Sequence, residues 1–174
     1  FFCDIKAGFD IIHIDPVVNN EGRPLPQEAV LNKIYELYAY CMDTAKALGK
    51  KILIELGTEE QQELPISDPA GLELILDKIL DFCRRNGIPP PTFMVIQTGT
   101  KVMRRRNMGV FPHRAELLPA YIEKYRIPEL SRICERRGII LKQHNTDYLS
   151  DESLRLLREV GIHSVNIAPE YGVT

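Results

Sequence analysis

Short runs of β-branched and other apolar residues alternate along the chain with longer stretches in which apolar residues recur every three or four positions. The short runs predict strands, and the longer stretches predict amphipathic helices. The predicted strands cover residues 9–15, 51–56, 92–97, 139–143 and 162–168. Because a helix separates each strand from the next, the pattern predicts a parallel sheet covered by helices, either closed as a barrel or open and doubly wound.

Capping residues and glycines set the expected ends of the helices. The first helix covers 26–48 and stops at Gly49, and the second opens at Ser67-Asp68-Pro69 and stops at Gly87. The last helix starts at Ser150 and ends at Gly161. The residues of the second helix that we expect to face inward are Leu72, Leu74, Ile75, Ile79 and Phe82.

The third helical stretch, 114–137, contains two prolines. Proline removes a backbone donor and clashes with the preceding turn, so Pro119 and Pro128 should bend or divide this helix. The loop before it is expected to be irregular and basic. Its run Arg104-Arg105-Arg106 is more typical of a solvated loop than of a phosphate site.

Side chains alternate between the two faces of each predicted strand. One set of alternate positions, here called one parity, is apolar and suits contact with the helices. Its members are Ile12, Ile14, Ile52, Ile54, Met94, Ile96, Ile139, Leu141, Val165 and Ile167. The other parity is polar near the carboxyl ends of the strands: His13, Asp15, Glu55, Gln97, Lys142, His144 and Asn166. This end carries the active site in parallel barrels, so the repeated layout predicts a ligand site. Any one of these residues alone equally fits a hydrogen-bonded interior polar group.

Composition and charge narrow the classes of function. The chain has 174 residues, of which 44% are hydrophobic and 26% charged, which is typical of one water-soluble domain spanning 1–174. A net charge of −2 disfavours nucleic acid and anionic membranes as partners. No apolar stretch is long enough to cross a bilayer. The four cysteines include no CxxC pair, which predicts buried thiols and a reducing, cytoplasmic setting.

Several segments carry a resemblance to a known family: KAGFDIIHIDPVVNNEGRPLPQEAV, ILIELGTEE, FMVIQTGTKV and LKQHNTDYLSDESLRLLREVGIHSVNIAPEYG. In order and spacing they resemble the accessory, non-catalytic subunit of tagatose-bisphosphate aldolase. More distantly they are similar to the class II, zinc-dependent fructose- and tagatose-bisphosphate aldolases. The resemblance spans nearly all of the chain and implies a (β/α)8 TIM barrel, of which this chain covers about strands 4–8.

The start and end of the sequence fit that implication. The first residues have the pattern of a helix already under way, and the chain stops soon after its last predicted strand. A complete barrel of this kind needs about 250 residues. We therefore expect the chain to be the C-terminal part of an aldolase-like barrel, completed by an N-terminal portion or an adjoining chain.

The resemblance bears on metal binding. It places Glu55 where the catalytic aldolases carry a glutamate, and His144 where they carry their last histidine ligand. The catalytic aldolases carry their middle histidine after a Gly-Thr pair, and this chain has Lys101 and Val102 there instead. Catalytic zinc needs about three protein ligands and an open position, so we expect no metal or other cofactor unless a partner or a missing segment supplies ligands.

The candidate site residues combine the strand-end pattern with this resemblance. The candidate catalytic residues are Asp15, Glu55, Lys142 and His144. The candidate residues for substrate and phosphate are Gln97, Asn145, Thr146, Asn166 and Glu170. Loops after the last two strands of such barrels commonly hold a phosphate, although Asp147 would repel it if its side chain pointed inward.

Two of the interior residues have competing interpretations. A desolvated Lys142 could form a Schiff base with a ketose, but an ion pair with Glu55 or Asp15 is favoured and would keep its amine from attacking a carbonyl. For His13, hydrogen bonding in the interior is favoured over catalysis.

Two functions remain open from the sequence. The first is an aldolase-like protein, a carbon–carbon lyase or the accessory subunit of one, that acts on a phosphorylated ketose beside a catalytic aldolase subunit or as a homo-oligomer. The second is a non-enzymatic barrel that binds a sugar phosphate or stabilises an assembly. A metal or ligand among the strand-end residues favours the first, and a salt-bridged interior favours the second.

Overall fold

A computed structural model of the chain describes residues 1–16, 23, 25–57 and 68–172. Its helices are α1 Phe2–Ala7, α2 Gln27–Ala47, α3 Pro69–Asn86, α4 Leu118–Tyr125, α5 Ile127–Glu135, α6 Asp151–Glu159 and α7 Pro169–Gly172. Its strands are β1 Ile11–Ile14, β2 Leu53–Leu56, β3 Phe93–Ile96, β4 Val102–Met103, β5 Arg106–Asn107, β6 Ile140–Gln143 and β7 Ser164–Val165. Ser67 and parts of two quoted motifs lie outside the described residues.

Five strands form one parallel sheet in the order β1-β2-β3-β6-β7. The predicted parallel sheet is therefore confirmed, and its five strands lie side by side in sequence order. Each strand returns to the sheet through a helical connection, which is the arrangement that parallel neighbours require. The carboxyl ends of all five strands consequently meet at one edge of the sheet.

The apolar parity of the strands packs in the main hydrophobic core. Ile12, Ile54, Met94 and Leu141 are each at most 3% exposed and join buried residues of the helices in a single cluster. Within α3, the inward assignment is right for Leu72, Ile75 and Ile79 and wrong for Leu74. Leu74 is 51% exposed. Residues on one face of a helix are three or four positions apart, whereas Leu74 is two positions from Leu72 and one from Ile75, so it lies on a different face. Phe82 is partly buried and stacks on Tyr35, with ring centroids 4.5 Å apart.

Helix ends follow the capping signals. The Asp68 side chain accepts a hydrogen bond from the Gly71 N–H at the start of α3, and Gly87 closes this helix in the left-handed conformation. The stretch 114–137 is divided as predicted. Its two helices, α4 and α5, meet at Arg126, whose φ is 52°, and Pro128 lies in the first turn of α5. Pro119 likewise begins a helix rather than bending one, since it lies in the first turn of α4.

Two segments differ from the sequence prediction. The loop after β3 is not irregular, because β4 and β5 pair in an antiparallel hairpin that turns through Arg104 at a φ of 55°. The last strand is much shorter than 162–168. It contains only Ser164 and Val165, and the chain then turns into the short helix α7.

The predicted buried thiols occur at three of the four cysteines. Cys41, Cys83 and Cys134 are buried on helix faces that contact the core, whereas Cys3 is exposed on α1. All four are free thiols. In the described part of the chain, no helix is long and apolar enough to cross a membrane.

The opposite face of the sheet is polar only toward the carboxyl ends of the strands. At the amino ends, the same parity carries Ile11, Leu53 and Ile140, which are 40%, 45% and 39% exposed. The polar residues predicted near the carboxyl ends of the strands therefore share this face with an exposed apolar row at the amino ends.

Replacing Ser150 with alanine should lower the free energy of unfolding by about 1 kcal/mol. The Ser150 hydroxyl accepts a hydrogen bond from the Ser153 N–H at 3.1 Å and caps α6. Urea denaturation measures the difference. The matched control is Thr44 of α2, which is partly exposed and caps no helix, and Thr44→Ala should cost under about 0.5 kcal/mol.

Candidate functional site

Glu55, in the middle of the sheet's polar edge, brings four strands together. Parallel register places His13 of β1 directly beside Glu55 of β2. Lys142 of β6 and Asn166, just after β7, reach the same carboxylate from the other side. In each of the local sequences IIHI, LIEL and ILKQ the second residue is buried in the core, so the polar third residue, which points to the other side of the sheet, faces this edge.

Both oxygens of the Glu55 carboxylate are hydrogen bonded. Oε1 accepts from His13 Nδ1 at 2.6 Å and from Asn166 Nδ2 at 2.9 Å, and Oε2 accepts from Lys142 Nζ at 2.5 Å. The residue is only 3% exposed. Burial of the carboxyl raises its pKa, but the hydrogen bonds from His13, Lys142 and Asn166 outweigh burial and lower the pKa of Glu55 from 4.5 to about 2. Glu55 is therefore ionised at neutral pH and is an anchor for the other three side chains.

Lys142 is held in the ion pair that the sequence favoured. Its ammonium contacts the Glu55 carboxylate and lies 4.8 Å from the centre of the Phe93 ring. The ammonium thus has an anion on one side and an aromatic face on the other, and both contacts attract a cation. A protonated amine has no lone pair with which to attack a carbonyl, so this arrangement disfavours the Schiff-base hypothesis.

A cavity of about 630 Å³ lies over this cluster. Its lining residues are His13, Asp15, Glu55, Lys142, His144, Val165, Asn166, Ile167 and Ala168. All four candidate catalytic residues are among them, together with Asn166. The cavity size fits a small polar ligand.

Gln97 is not part of this cavity. It follows β3 at the same edge, but its side-chain amide donates to the Thr100 carbonyl at 2.9 Å and so fastens the start of the next loop. Sequence parity placed Gln97 at the correct edge, yet parity cannot tell whether a strand-end amide points into a cavity or along its own loop.

The two loops predicted to hold phosphate, after β6 and after β7, are joined to each other by hydrogen bonds. Asp147 is buried, and its Oδ1 accepts from the N–H groups of Ala168 and Glu170, each at 2.9 Å. Thr146 donates its hydroxyl to the Asn166 carbonyl, and Glu170 accepts from the Tyr148 N–H. Asp147 therefore takes two N–H donors that an anion at this turn would use. Thr146 and Glu170 shape the loops in this arrangement rather than face the cavity.

Sequence reasoning missed a buried polar network behind His144. Gln143 accepts from the Thr98 hydroxyl at 2.6 Å and donates to the Thr100 hydroxyl at 2.8 Å, while Thr100 donates to the His144 carbonyl. Tyr121 completes it with a bond to the Thr98 carbonyl at 2.6 Å, and burial raises the pKa of this phenol. One signal was available, because Gln143 occupies the apolar parity of its strand and a polar residue there must find partners.

The residues described do not fit a catalytic zinc site. No group of three His, Cys, Asp or Glu side chains positioned to hold a metal occurs within residues 1–16, 25–57 and 68–172. Glu55, for which the sequence resemblance implied the position of the aldolase glutamate, already accepts hydrogen bonds at both oxygens, from His13, Asn166 and Lys142.

Comparison with known proteins adds a fold relationship. None of the known protein-family models matches the sequence, and no curated protein does. A crystal structure of a probable tagatose 6 phosphate kinase from Sinorhizobium meliloti 1021 superposes with a TM-score of 0.67 at 19% identity, covering 97% of this chain and 40% of that one. The glycerol-complexed fructuronate-tagaturonate epimerase UxaE from Cohnella laeviribosi gives a TM-score of 0.63 at 14% identity, covering 95% of this chain and 41% of that one.

At these sequence identities the two superpositions establish a shared fold and nothing further. The chain is an α/β protein whose parallel sheet and helices match part of each neighbour. It spans about two fifths of the length of both.

Proposed function

We propose that the chain forms strands four to eight of a (β/α)8 barrel and binds a phosphorylated ketose at the carboxyl edge of its sheet. The observation that carries this proposal is the convergence of His13, Lys142 and Asn166 on the Glu55 carboxylate beneath one cavity. In parallel barrels this end is where ligands bind. The apolar, exposed amino half of the same face supports closure by further strands, because an isolated sheet face of this kind is costly in water.

The chemistry of the cavity suits a sugar. Sugar hydroxyls both donate and accept hydrogen bonds, and the cavity offers an ammonium, an amide, carboxylates and imidazoles within one small volume. The names of the two fold neighbours refer to tagatose 6-phosphate and to fructuronate and tagaturonate, which supports a ketose or its acid as the ligand class. We place the phosphate beside the loop after β6, where Asn145 is half-buried with a left-handed backbone.

The proposed role is that of an accessory subunit that supports a catalytic class II aldolase. It rests on the sequence resemblance and on the engagement of Glu55 by three other side chains. A second candidate is a barrel that binds sugar phosphate or stabilises an assembly without chemistry. The buried ion pair between Glu55 and Lys142 favours this candidate, because it occupies two groups that could otherwise react.

Isothermal titration with D-tagatose 6-phosphate, D-fructose 1,6-bisphosphate and unphosphorylated D-tagatose tests the proposal. We expect the phosphorylated ketoses to bind at least tenfold more tightly than D-tagatose. Asn166→Ala should weaken binding about tenfold, because it removes an amide from the cavity. The matched control is Asn86→Ala on the exposed end of α3, which should bind as the wild type does. Absence of binding to any ketose phosphate contradicts the proposal.

An aldol-cleavage assay separates the two candidate roles. The full-length protein is mixed with ketose bisphosphates and zinc, with and without a catalytic class II aldolase subunit. An accessory subunit should raise or prolong the cleavage activity of its partner while having none alone. If the ligand binds and the partner's activity is unchanged, the role without chemistry is favoured.

A further inference from the structure

The hairpin of β4 and β5 has two different faces. Its register pairs Met103 with Arg106 and Val102 with Asn107. Side chains that lie opposite each other in an antiparallel pair share a face, and neighbours along a strand lie on opposite faces. Met103 and Arg106 therefore lie on one face of the hairpin, and Val102 and Asn107 lie on the other.

The face with Val102 and Asn107 lies against the rest of the protein. Both residues are half-buried, and the Asn107 amide donates to the carbonyls of Asn145 and Asp147 at 2.8 and 3.0 Å. The Asn107 side-chain oxygen accepts from the Lys101 N–H at 3.2 Å, which closes the base of the hairpin. The hairpin is thus held in place, so a partner would not have to order it on binding.

The opposite face is exposed and combines apolar with cationic side chains. Lys101 and Met108 belong to it, since each lies two positions along its strand from Met103 or Arg106. Met103 and Met108 are 54% and 59% exposed, and the two cationic side chains are exposed as well. We call this surface, formed by Lys101, Met103, Arg106 and Met108, the hairpin face.

The positive charge of the hairpin is not neutralised by the protein's own acids. Residues 82–115 contain no Asp and no Glu. Among the residues that the structure describes, no carboxylate pairs with Lys101 or with the arginine run 104–106. By contrast, Arg136 on α5 pairs with Glu73 of α3 at 2.9 Å. The hairpin therefore attracts carboxylates from outside the chain.

The tip of the hairpin has an arginine where glycine would be less strained. Arg104 has a φ of 55° in the turn that joins β4 to β5, and left-handed backbone is unfavourable for a residue with a Cβ atom. Strained residues of this kind cluster at binding sites. Arg104 and Arg105 extend the positive charge from the hairpin face to the tip.

The composition of the hairpin face favours a protein as its partner. Methionine and arginine are enriched in protein interfaces, where polar side chains surround an apolar centre. A small anion would leave both methionines in water. Surfaces that bind single-stranded nucleic acid carry aromatic side chains for stacking, and surfaces that enter a lipid headgroup layer carry Trp, Phe or Leu. The hairpin face has none of these.

We propose that the hairpin face is a docking surface for a partner protein whose own surface places carboxylates around an apolar centre. Met103 and Met108 fill the middle of the contact, and Lys101 and Arg106 pair with the carboxylates at its rim. The charge at the tip speeds association by attracting the acidic surface. The inference rests on the proposed function for the partner to be tested, which is a catalytic class II aldolase subunit.

Titration of the full-length protein with a catalytic class II aldolase subunit tests the inference. The wild type should bind, and Lys101→Glu combined with Arg106→Glu should weaken binding about 100-fold, because two attractive contacts become repulsive. Met103→Ser combined with Met108→Ser should weaken binding about tenfold, because it removes the apolar centre of the contact. Raising the salt concentration from about 0.05 M to about 0.5 M should weaken wild-type binding about tenfold and affect the charge-reversed variant much less.

The matched control is Lys50→Glu combined with Lys51→Glu, which changes the net charge by the same amount. Both lysines are exposed just before β2, at the amino edge of the sheet, whereas the hairpin follows the carboxyl end of β3. This variant should bind the subunit as the wild type does. Circular dichroism and urea denaturation establish that every variant is folded.

The possible outcomes separate the docking surface from the proposed function. Equal binding of the subunit by the wild type and the Lys101→Glu, Arg106→Glu variant overturns the docking surface and leaves the proposed function standing. An equal loss of binding in the Lys50→Glu, Lys51→Glu control also overturns it, since net charge would then be the cause. Failure of the wild type to bind the subunit overturns the docking surface and the accessory role together, whereas ketose-phosphate binding is decided by its own titration. Binding of an RNA oligonucleotide or of phosphatidylserine vesicles in place of the subunit overturns the choice of a protein partner.

Discussion

Replacing Glu55 with glutamine is expected to lower the free energy of unfolding by about 3 kcal/mol at pH 7. The carboxylate is 3% exposed and accepts hydrogen bonds from His13, Lys142 and Asn166. Glutamine keeps the shape of the side chain but removes its charge, so the buried Lys142 ammonium would lose its counter-ion. Urea denaturation followed by circular dichroism measures the difference.

The contribution of Glu55 to the free energy of unfolding should depend on pH. The folded-state pKa of Glu55 is lowered from 4.5 to about 2, so its ionised form stabilises the fold above the unfolded pKa. That contribution is lost as pH falls from about 4.5 to about 2. At 1.36 kcal/mol per pKa unit, it amounts to about 3 kcal/mol. The stabilities of the wild type and Glu55→Gln should therefore converge across this window.

Two further variants control the experiment. Glu36→Gln removes a carboxylate that is 65% exposed and pairs with Lys33, so it should change stability by under about 0.5 kcal/mol. Combining Glu55→Gln with Lys142→Met removes the unpaired ammonium and should recover part of the loss. If Glu55→Gln is as stable as the wild type from pH 2 to pH 7, the carboxylate does not hold the cluster together.

The succession of strands and helices was sufficient to predict the parallel sheet, and the alternation of side chains along each strand was sufficient to predict the place of its polar edge. Ile12, His13 and Ile14 show why, because one parity must be buried under helices and the other must then face the opposite side. Caps and prolines located the helix boundaries, including the break between α4 and α5. These signals are local, so a single sequence carries them.

The partners within the polar edge could not be predicted in the same way. Glu55 and Asn166 are 111 residues apart, and parity gives their shared edge without saying which side chains touch. The hairpin of β4 and β5 was also missed, because strands of two residues show no alternation. Its anchor is Asn107, whose amide donates to the carbonyls of Asn145 and Asp147 across the sheet edge. Contacts of this kind depend on the assembled fold.

That hairpin lies against the end of β3 at a point where a side chain has no room. A Cβ atom on Gly109 would lie 2.0 Å from the Gly99 carbonyl oxygen, 2.7 Å from the Thr100 Cα and 2.8 Å from the Lys101 nitrogen. All three are backbone atoms, which cannot turn aside as a flexible side chain can. The Val110 N–H also donates to that Gly99 carbonyl at 2.6 Å, so the two segments are fastened where they approach most closely.

Gly109→Ala should therefore lower the free energy of unfolding by about 3 kcal/mol, at the upper end of what overpacking costs. The segment that must move contains Thr100, whose hydroxyl bonds Gln143 and the His144 carbonyl, so ligand binding at the cavity should weaken as well. Urea denaturation and titration with a ketose phosphate measure the two effects. The neighbouring Met108 is 59% exposed, and Met108→Ala should leave stability within about 0.5 kcal/mol of the wild type. A stable Gly109→Ala variant with unchanged binding would show that the hairpin does not pack closely against β3.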